Sequence, residues 1–397
     1  MAIAQNCHQW LTLLVCAALL VLQTKANFYP LIFPEKAKAM GAVCLDGSPP
    51  AYHFVEGTVE NKDNWLIYME GGAWCESIEE CKLRTLEHKG SSKHMMMNPF
   101  FPGDYDFGFY GILNRDPAYN PSEFVNWNLV VIRYCDGSSF TGDVEEPVDN
   151  LYFRGKRIFN VITDELLNKG LKNAKQVFLT GGSAGAVSVA LHCDRFRKLL
   201  PNTRRFKCLM DGGYFIHVKK DNPKQVEGFE LTFKNVVSLH NSTGMLPQTC
   251  TQKMKDKPYL CMFPQYLMDG MKTPMFILMS SYDKHQINIS MHESFVAANR
   301  TIREHVQLAT PIYEGLKGFR LQLLDALPNK PSVGIFINNC FFHTEIATGY
   351  WANPNSQVNN VLDSKAISDW YFYGKEVNLI DKSEFIKDCY TNGYYSS

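Results

Sequence analysis

The sequence has no excess of positive or negative charge. Its 397 residues contain 40 Lys plus Arg and 40 Asp plus Glu. The overall balance does not point to a polyanionic partner, and no nucleic acid is predicted. No internal repeat, low-complexity tract or linker interrupts the chain, which favours one globular domain over residues 27–397. After residue 26, no apolar run reaches the ~20 residues that a membrane-spanning helix needs.

The longest hydrophobic run lies near the N-terminus, where residues 10–22 read WLTLLVCAALLVL. This run is too short to cross a bilayer core but fits the apolar region of a secretory signal peptide. Small residues at Thr24 and Ala26 predict a signal peptide over residues 1–26 and hence a secreted protein. No Lys or Arg precedes the run, so an uncleaved anchor stays open as the alternative.

The cysteines include no C-x-x-C pair, the spacing typical of zinc and thiol redox sites. Cys7 and Cys16 lie in the signal peptide, and ten of the 12 cysteines remain. An even number in an oxidising compartment favours five disulfides over a metal site, although sequence alone cannot choose among the pairings. The predicted pairs are Cys44 with Cys135, Cys75 with Cys81, Cys193 with Cys208, Cys250 with Cys261, and Cys340 with Cys389. Three sequons fit a glycosylated exterior, at Asn241, Asn288 and Asn299.

Apolar β-rich runs alternate with helical patterns after the signal peptide. This alternation predicts an α/β fold with a mostly parallel central sheet and helices on both faces. Predicted strands include residues 64–72, 128–135, 176–180, 273–283 and 332–343. Apolar spacing predicts helices over residues 154–169 and 184–200. The polar stretch from Pro223 to Pro264 is interpreted as an irregular cap or insertion.

The segment 176–193 reads QVFLTGGSAGAVSVALHC and places Ser183 in a G-x-S-x-G motif between a strand and a helix. In an α/β-hydrolase this motif forms the nucleophile elbow, in which small residues allow a tight turn that exposes the serine hydroxyl. An ordinary glycine-rich connection is the alternative. The strand-turn-helix context favours Ser183 as a nucleophile.

A serine nucleophile needs a base and a group that orients the base, and this fold supplies them in the chain order Ser, Asp or Glu, His. Asp283 and His343 end two later strands, at the sheet edge where such folds bind ligands. Singly, Asp283 could be a helix N-cap and His343 an incidental loop residue. Other downstream candidates are His240, His285, His292 and Asp211, of which Asp211 is interpreted as structural, orienting a loop near the elbow.

The oxyanion hole of a serine esterase requires backbone N–H donors. Ala184 follows the nucleophile, and the glycine-rich stretch MEGGAWC at residues 69–75 follows a strand. Gly72, Ala73 and Ala184 are therefore the predicted donors. Trp74 would form a wall of the pocket or, alternatively, a core aromatic contact.

Further motifs occur along the chain, and they read GAVCLDGSPPAYHF (41–54), RYCDGSSFTGD (133–143), FRGKRIF (153–159), LHCDRF (191–196) and DWYF (369–372). Together with the elbow and MEGGAWC, these motifs resemble those of plant pectin acetylesterases, and more distantly those of the animal Notum carboxylesterases. The resemblance runs from about residue 27 to near the C-terminus. It implies an α/β-hydrolase-like fold, secretion to the cell wall and removal of acetyl groups from galacturonan, with Ser183, Asp283 and His343 as the triad.

The chain departs from the plant pattern beside the nucleophile and the histidine. Gly182 and Thr344 stand where the plant proteins usually have cysteines, which fits the loss of a disulfide next to the active site. The sequence is interpreted as a secreted, monomeric serine carboxylesterase that acts on acetylated pectin without a metal or cofactor. Two alternatives stay open: an esterase for another acyl group, such as a lipid on a protein, and a polysaccharide-binding relative without catalysis.

Overall fold

The computed structural model describes residues 29–95, 109–218, 228–291, 296 and 310–389. The predicted signal peptide, the sequon at Asn299 and the alternative base His292 lie outside the described residues. Within the described ranges, no helix combines the length and the apolar character needed to cross a bilayer.

The described residues form one nine-stranded sheet with the strand order β1-β2-β4-β3-β5-β6-β7-β8-β9. Strands β1 and β2 pair antiparallel to their neighbours, and every pair from β4 and β3 to β8 and β9 is parallel. The strands are β1 Leu31–Ile32, β2 Tyr52–Val55, β3 Asn64–Met69, β4 Asn128–Ile132, β5 Gln176–Gly182, β6 Arg205–Asp211, β7 Met275–Ser280, β8 Val333–Asn338 and β9 Asn378–Ile380.

Helices cover the sheet on both faces. They are α1 Ile78–Arg84, α2 Gly155–Asn168, α3 Ala184–Leu199, α4 Gly228–Leu239, α5 Gln248–Thr251, α6 Pro264–Leu267, α7 Lys284–Ser290, α8 Thr310–Ala326 and α9 Asp363–Tyr373. Helices α2 and α3 contribute to the larger apolar core, and α9 contributes to a second core. The predicted boundaries of α2 and α3 agree with the structure to within one residue.

Alternating strand residues divide between the two cores because side chains along a strand point to opposite faces. In β3, Trp65, Ile67 and Met69 join the larger core, whereas Leu66 and Tyr68 join the second. All five are buried, as expected for a strand in a parallel sheet covered on both sides. This packing determines where in the sheet each strand ends, and therefore where the residues after the strand lie.

The predicted ends of β3, β4, β7 and β8 were wrong, because each of these strands ends three to five residues earlier than predicted, and the predicted irregular segment was wrong as well. Strand β3 ends at Met69 and not at Gly72, because Glu70 and the glycines leave the sheet to form a loop. The segment that was predicted to be irregular contains the helix α4. Its buried residues Phe229, Phe233, Val236 and Val237 have helical spacing, and this apolar face packs into the larger core.

Candidate active site

Three functional candidates lie at one edge of the sheet. Ser183 directly follows β5, Asp283 follows β7 and His343 follows β8. These strands run parallel, so their carboxyl ends meet at the same edge. Ser183 and His343 line one cavity of about 510 Å³, and Asp283 lies buried beside it.

Ser183 occupies a strained turn at the start of α3, with φ of 56° and ψ of −126°. A left-handed φ is unusual for a residue with a side chain, and such strain is typical of a nucleophile elbow. The neighbouring glycines are required by close packing. A Cβ at Gly185 would lie 2.0 Å from the Met69 carbonyl oxygen, and a Cβ at Gly181 would lie 2.5 Å from the Gly185 carbonyl oxygen. The G-x-S-x-G spacing is therefore a steric requirement of the turn.

Asp283 orients His343. Its Oδ2 is 2.7 Å from His343 Nδ1, while its Oδ1 accepts hydrogen bonds from the backbone N–H groups of His285 and Gln286. Asp283 is thus both the N-cap of α7 and the partner of the histidine, so the two readings of this residue are compatible. His343 Nε2 has no hydrogen-bond partner among the described residues, which leaves this nitrogen available for chemistry.

His285 lies close to His343 but has a different environment. The two ring centroids are 4.8 Å apart, and burial together with the neighbouring His343 lowers the pKa of His285 to about 4. The bond from His285 to Asp283 comes from its backbone and not from its ring. The other candidate, His240, is not among the residues that line the cavity, and its ring Nε2 is 3.0 Å from the Cys75 carbonyl oxygen. The geometry therefore favours His343 as the base.

The glycine-rich loop after β3 packs against the nucleophile turn. Gly72 lines the cavity together with Gly71, whereas Ala73 and Ala184 do not. No acceptor is found within the described ranges for the backbone N–H groups of Gly72, Ala73 and Ala184. Gly71 was missed by the sequence analysis, although a Cβ there would lie 2.2 Å from the Gly182 carbonyl oxygen. The sequence feature that could have indicated Gly71 is the pair Gly71-Gly72, because glycine is needed where two backbone segments approach closely.

Buried ionic contacts hold this loop at its first residue. Glu70 accepts a hydrogen bond of 3.0 Å from Arg133 Nε, one of 2.6 Å from Lys89 Nζ and one of 2.7 Å from the Tyr134 backbone. The Arg133 and Lys89 cations keep the pKa of Glu70 well below its usual range against the opposing effect of burial. The loop is thereby fixed on the side that faces the nucleophile.

Ser139 connects the two halves of the predicted oxyanion hole. Its Oγ accepts a 2.8 Å hydrogen bond from Trp74 Nε1 and donates one of 2.8 Å to the Ala184 carbonyl oxygen. Its backbone N–H donates to the hydroxyl of Tyr134, which in turn donates to the Ala73 carbonyl oxygen. Ser139 itself has a left-handed φ of 58°. One buried hydroxyl therefore sets the distance between the loop and the helix start.

Replacing Ser139 with alanine is expected to lower kcat for ester hydrolysis about tenfold and to leave KM within about twofold. Two neutral hydrogen bonds of ~0.5–1.5 kcal/mol each are lost, and these bonds position the predicted oxyanion donors. Steady-state kinetics with a small acetate ester measure kcat and KM separately. Trp74→Phe is the matched variant, and the double variant should lose less than the sum of the two. Strict additivity, or a loss confined to KM, would contradict this role.

Asp211 links the nucleophile turn to the histidine loop. Its backbone oxygen accepts from the Ser183 N–H at 2.9 Å, and its Oδ2 accepts from the backbone N–H groups of Glu345 and Ile346 at 2.8 and 2.9 Å. Burial raises the pKa of Asp211 to about 7. Glu345 and Asp363 are also buried. Desolvation raises the pKa of Asp363, and desolvation together with repulsion from Asp363 and Asp211 raises the pKa of Glu345. A group of protonatable carboxyls thus lies behind His343.

These carboxyls predict a loss of stability as the pH rises. A carboxyl with a raised pKa contributes stability that is fully present below the unfolded pKa near 4 and is lost as the pH rises through about 7. Each such group can cost up to ~1.4 kcal/mol per pH unit within this window. Burial lowers the pKa values of His53, His192, His240 and His285, and these groups oppose the change over the same pH range, so the test compares variants and not the absolute Tm. Thermal unfolding gives the difference between the Tm at pH 7.5 and the Tm at pH 4.5 for each variant. In Asp363→Asn this difference should shift in favour of the higher pH, and in the exposed control Asp256→Asn it should not. An unchanged difference in Asp363→Asn would count against the proposed titration.

The structure contains the five disulfides with the same pairings that the sequence analysis predicts. The Cys340–Cys389 bond anchors the histidine loop to the C-terminal segment. Cys75, Cys81 and His240 lie close enough together to resemble a metal site, but both sulfurs form a disulfide with each other.

Of the described sequons, Asn241 is exposed and Asn288 is half-buried in α7. Positions 182 and 344 adjoin each other, since a Cβ at Gly182 would lie 3.5 Å from Thr344 Cγ2.

The chain matches a family model described as pectinacetylesterase over residues 22–391. Pectin acetylesterase 7 of Arabidopsis thaliana is 40% identical over 378 residues, which cover 92% of each chain. Palmitoleoyl-protein carboxylesterase notum2 of Xenopus laevis is 27% identical over 82% of this chain and 64% of that relative. The Drosophila Wnt deacylase Notum superposes with a TM-score of 0.73 at 21% identity, covering 90% of this chain and 97% of that chain. The predicted α/β-hydrolase-like fold is confirmed, and the chain belongs to the pectinacetylesterase family.

Proposed function

We propose that this protein is a secreted carboxylic ester hydrolase that removes acetyl groups from cell-wall pectin through an acetyl-enzyme intermediate. The observation that carries the proposal is the convergence of Ser183, His343 and the Asp283 carboxylate at one cavity, next to a glycine-rich loop with free N–H donors. Membership of the family and the identity to the Arabidopsis enzymes support acetylated pectin as the substrate. The predicted signal peptide and the five disulfides fit an extracellular location, and we infer that the protein acts as a monomer.

In the first half of the reaction, the Ser183 hydroxyl attacks the acetyl carbonyl carbon while His343 Nε2 takes its proton. Asp283 keeps the Nδ1 proton of the imidazole directed at its own Oδ2 and stabilises the imidazolium. The carbonyl oxygen becomes an oxyanion, which the N–H groups of Gly72, Ala73 and Ala184 stabilise. The bond between the acetyl carbon and the sugar oxygen then breaks while His343 donates its proton to that oxygen, so the sugar leaves as an alcohol and Ser183 is left acetylated.

In the second half, water attacks the acetyl group while His343 again takes a proton. The tetrahedral intermediate collapses to release acetate and to return the proton to Ser183. No step needs an external oxidant or reductant. The neutral ring of His285, kept uncharged by its low pKa, adds no positive charge beside His343 as the imidazolium forms.

The lining of the cavity supports a polar substrate over a long acyl chain. Arg84, Glu87 and Lys89 line it together with Tyr110 and Tyr350. Charged side chains beside the nucleophile would be costly to desolvate against a lipid tail, whereas tyrosines and charged groups suit a sugar with its hydroxyls and carboxylate. This argues against the lipidated-protein alternative, although the Notum carboxylesterases share the fold.

The test is acetate release from acetylated galacturonan, with acetylated xylan as the comparison polymer. The proposal expects kcat/KM on galacturonan to exceed that on xylan by about tenfold or more, since a difference of ~1.4 kcal/mol suffices. A pair of 4-nitrophenyl esters, acetate and palmitate, tests the acyl group, and the acetate should be preferred. Absence of acetate release from either polymer, with the protein folded, would leave the binding-module alternative.

A further inference from the structure

A second cavity of about 800 Å³ lies outside the proposed active site and is larger than it. It is lined by the C-terminal half of α3 and by the segments around α5 and residues 267–273. Among the described residues, none lines both cavities. Helix α3 connects the two sites, because it begins after Ser183 and carries Arg195 12 residues later, about 18 Å along the helix at ~1.5 Å per residue.

The second cavity, which we call the basic cleft, is strongly positive. Four cationic side chains line it, Arg195, Arg197, Lys198 and Lys272, against one acidic side chain, Asp194. The Asp194 carboxylate is already bound by the Thr273 hydroxyl at 2.6 Å and by the backbone N–H groups of Lys272 and Thr273 at 3.0 and 2.9 Å. Asp194 offsets one of the four positive charges, which leaves an excess of three positive charges along the described lining.

Arg195 is one of the two half-buried cations of the cleft, together with Arg197. Its guanidinium contacts the sulfur and the carbonyl oxygen of Met245, and no carboxylate within the described ranges forms an ion pair with it. Burial lowers the pKa of its guanidinium from the ordinary value, yet a guanidinium stays charged at neutral pH. A half-buried cation without a counter-ion is energetically unfavourable and would be stabilised by an anionic ligand.

The remaining lining contains apolar side chains, among them Leu191, Leu246 and Leu267, and polar side chains that suit a hydroxyl-bearing ligand. Threonines and a glutamine contribute hydrogen-bonding groups, at Thr243, Gln248, Thr249 and Thr251. The combination of cations with hydroxyl and amide groups matches a sugar acid, which presents a carboxylate and several hydroxyls on each ring. The cleft volume lies within the ~300–1,000 Å³ that is typical of ligand pockets.

We infer that the basic cleft binds a uronate segment of the polysaccharide, at a distance from the acetyl group that is being hydrolysed. This inference rests on the proposed function, because acetylated pectin is a polymer of uronic acids. The whole protein has a formal net charge of zero, so it has no general attraction for a polyanion. A local concentration of cations is then the means by which a neutral protein would hold such a chain.

The test measures the binding of de-esterified oligogalacturonate, which carries no acetyl group, by calorimetry at low ionic strength. The variant Arg195→Gln/Lys198→Gln/Lys272→Gln should weaken the Kd about tenfold or more, and the loss should shrink as salt is added. Its kcat/KM on 4-nitrophenyl acetate should stay within about twofold, while its KM for acetylated galacturonan rises without a matching fall in kcat.

Two further variants keep the experiment decisive. Lys198→Gln/Lys272→Gln changes only exposed side chains, so it guards against misfolding and should show part of the loss. Lys36→Gln/Lys62→Gln/Lys172→Gln removes the same charge from exposed positions outside both cavities and should bind as the unmodified protein does. An unchanged Kd in the cleft variant, or an equal loss in this control, would overturn the inference.

A last comparison separates the uronate from charge alone. Polyglutamate of matched length should bind more weakly than oligogalacturonate, and equal binding would overturn the assignment to a sugar acid. The outcomes remain distinct from those of the proposed function, because oligogalacturonate binding needs no turnover. A protein that binds the oligomer at the cleft but releases no acetate would refute the esterase and retain the cleft.

Discussion

Replacing Ser183 with alanine is expected to lower kcat/KM for acetate esters by at least ~10³-fold, because we propose that this hydroxyl forms the acetyl-enzyme. The side chain is half-buried and makes no hydrogen bond with the described residues, so the change removes chemistry and little packing. The Tm should therefore stay within about 1 °C of the unmodified protein. Initial rates of acetate release and thermal unfolding together measure the two expectations.

The matched control is Ser238→Ala, since Ser238 is exposed on α4 and lines neither cavity. This variant should retain full activity. If Ser183→Ala retained substantial activity, at a rate well above that of a mock preparation, Ser183 could not be the nucleophile.

Replacing His343 with alanine is expected to cost about as much as the loss of Ser183, because a triad works as a unit and the serine is a weak nucleophile without its base. Asp283→Asn should cost somewhat less, since it disturbs the orientation of a base that is still present. Steady-state kinetics on a small acetate ester compare the three variants on one scale.

His285→Ala is the informative control for the base. Its ring packs near His343 but does not bond to Asp283, so its loss should cost about tenfold or less through altered packing. A severe loss in His285→Ala together with an active His343→Ala would reverse the assignment of the base and require a different mechanism.

The positions of Ser183, Asp283 and His343 could be predicted from the sequence because each lies close to the end of an apolar strand: Ser183 directly follows β5, Asp283 comes three residues after β7 and His343 five residues after β8. In a parallel sheet, the ends of β5, β7 and β8 meet at one edge, and the short distance along the chain from each strand to its functional residue leaves little freedom. The order of the three residues then distinguishes this arrangement from a chance pattern. The roles of these residues stay predictions until the variants are measured.

The supporting contacts could not be predicted in the same way. Ser139 lies 65 residues from Trp74 and 45 from Ala184, so only the folded chain brings its hydroxyl to both. The sequence analysis interpreted Asp211 as a residue that orients a loop near the elbow, but it could not identify the partners. The hydrogen bonds from Glu345 and Ile346 to Asp211 span 134 and 135 residues. The basic cleft is likewise assembled from separate segments, and the neutral net charge of the chain conceals it.

The most direct test of the central claim is to trap the acetyl-enzyme. The protein is mixed with galacturonan that carries isotopically labelled acetyl groups, quenched in acid within the first turnover, and digested with trypsin for mass spectrometry. The labelled acetyl group should appear on the peptide that spans residues 176–195, at Ser183, and should be absent from Ser183→Ala. Release of labelled acetate with no label on this peptide at any time point, or with label at another residue, would contradict the proposed mechanism.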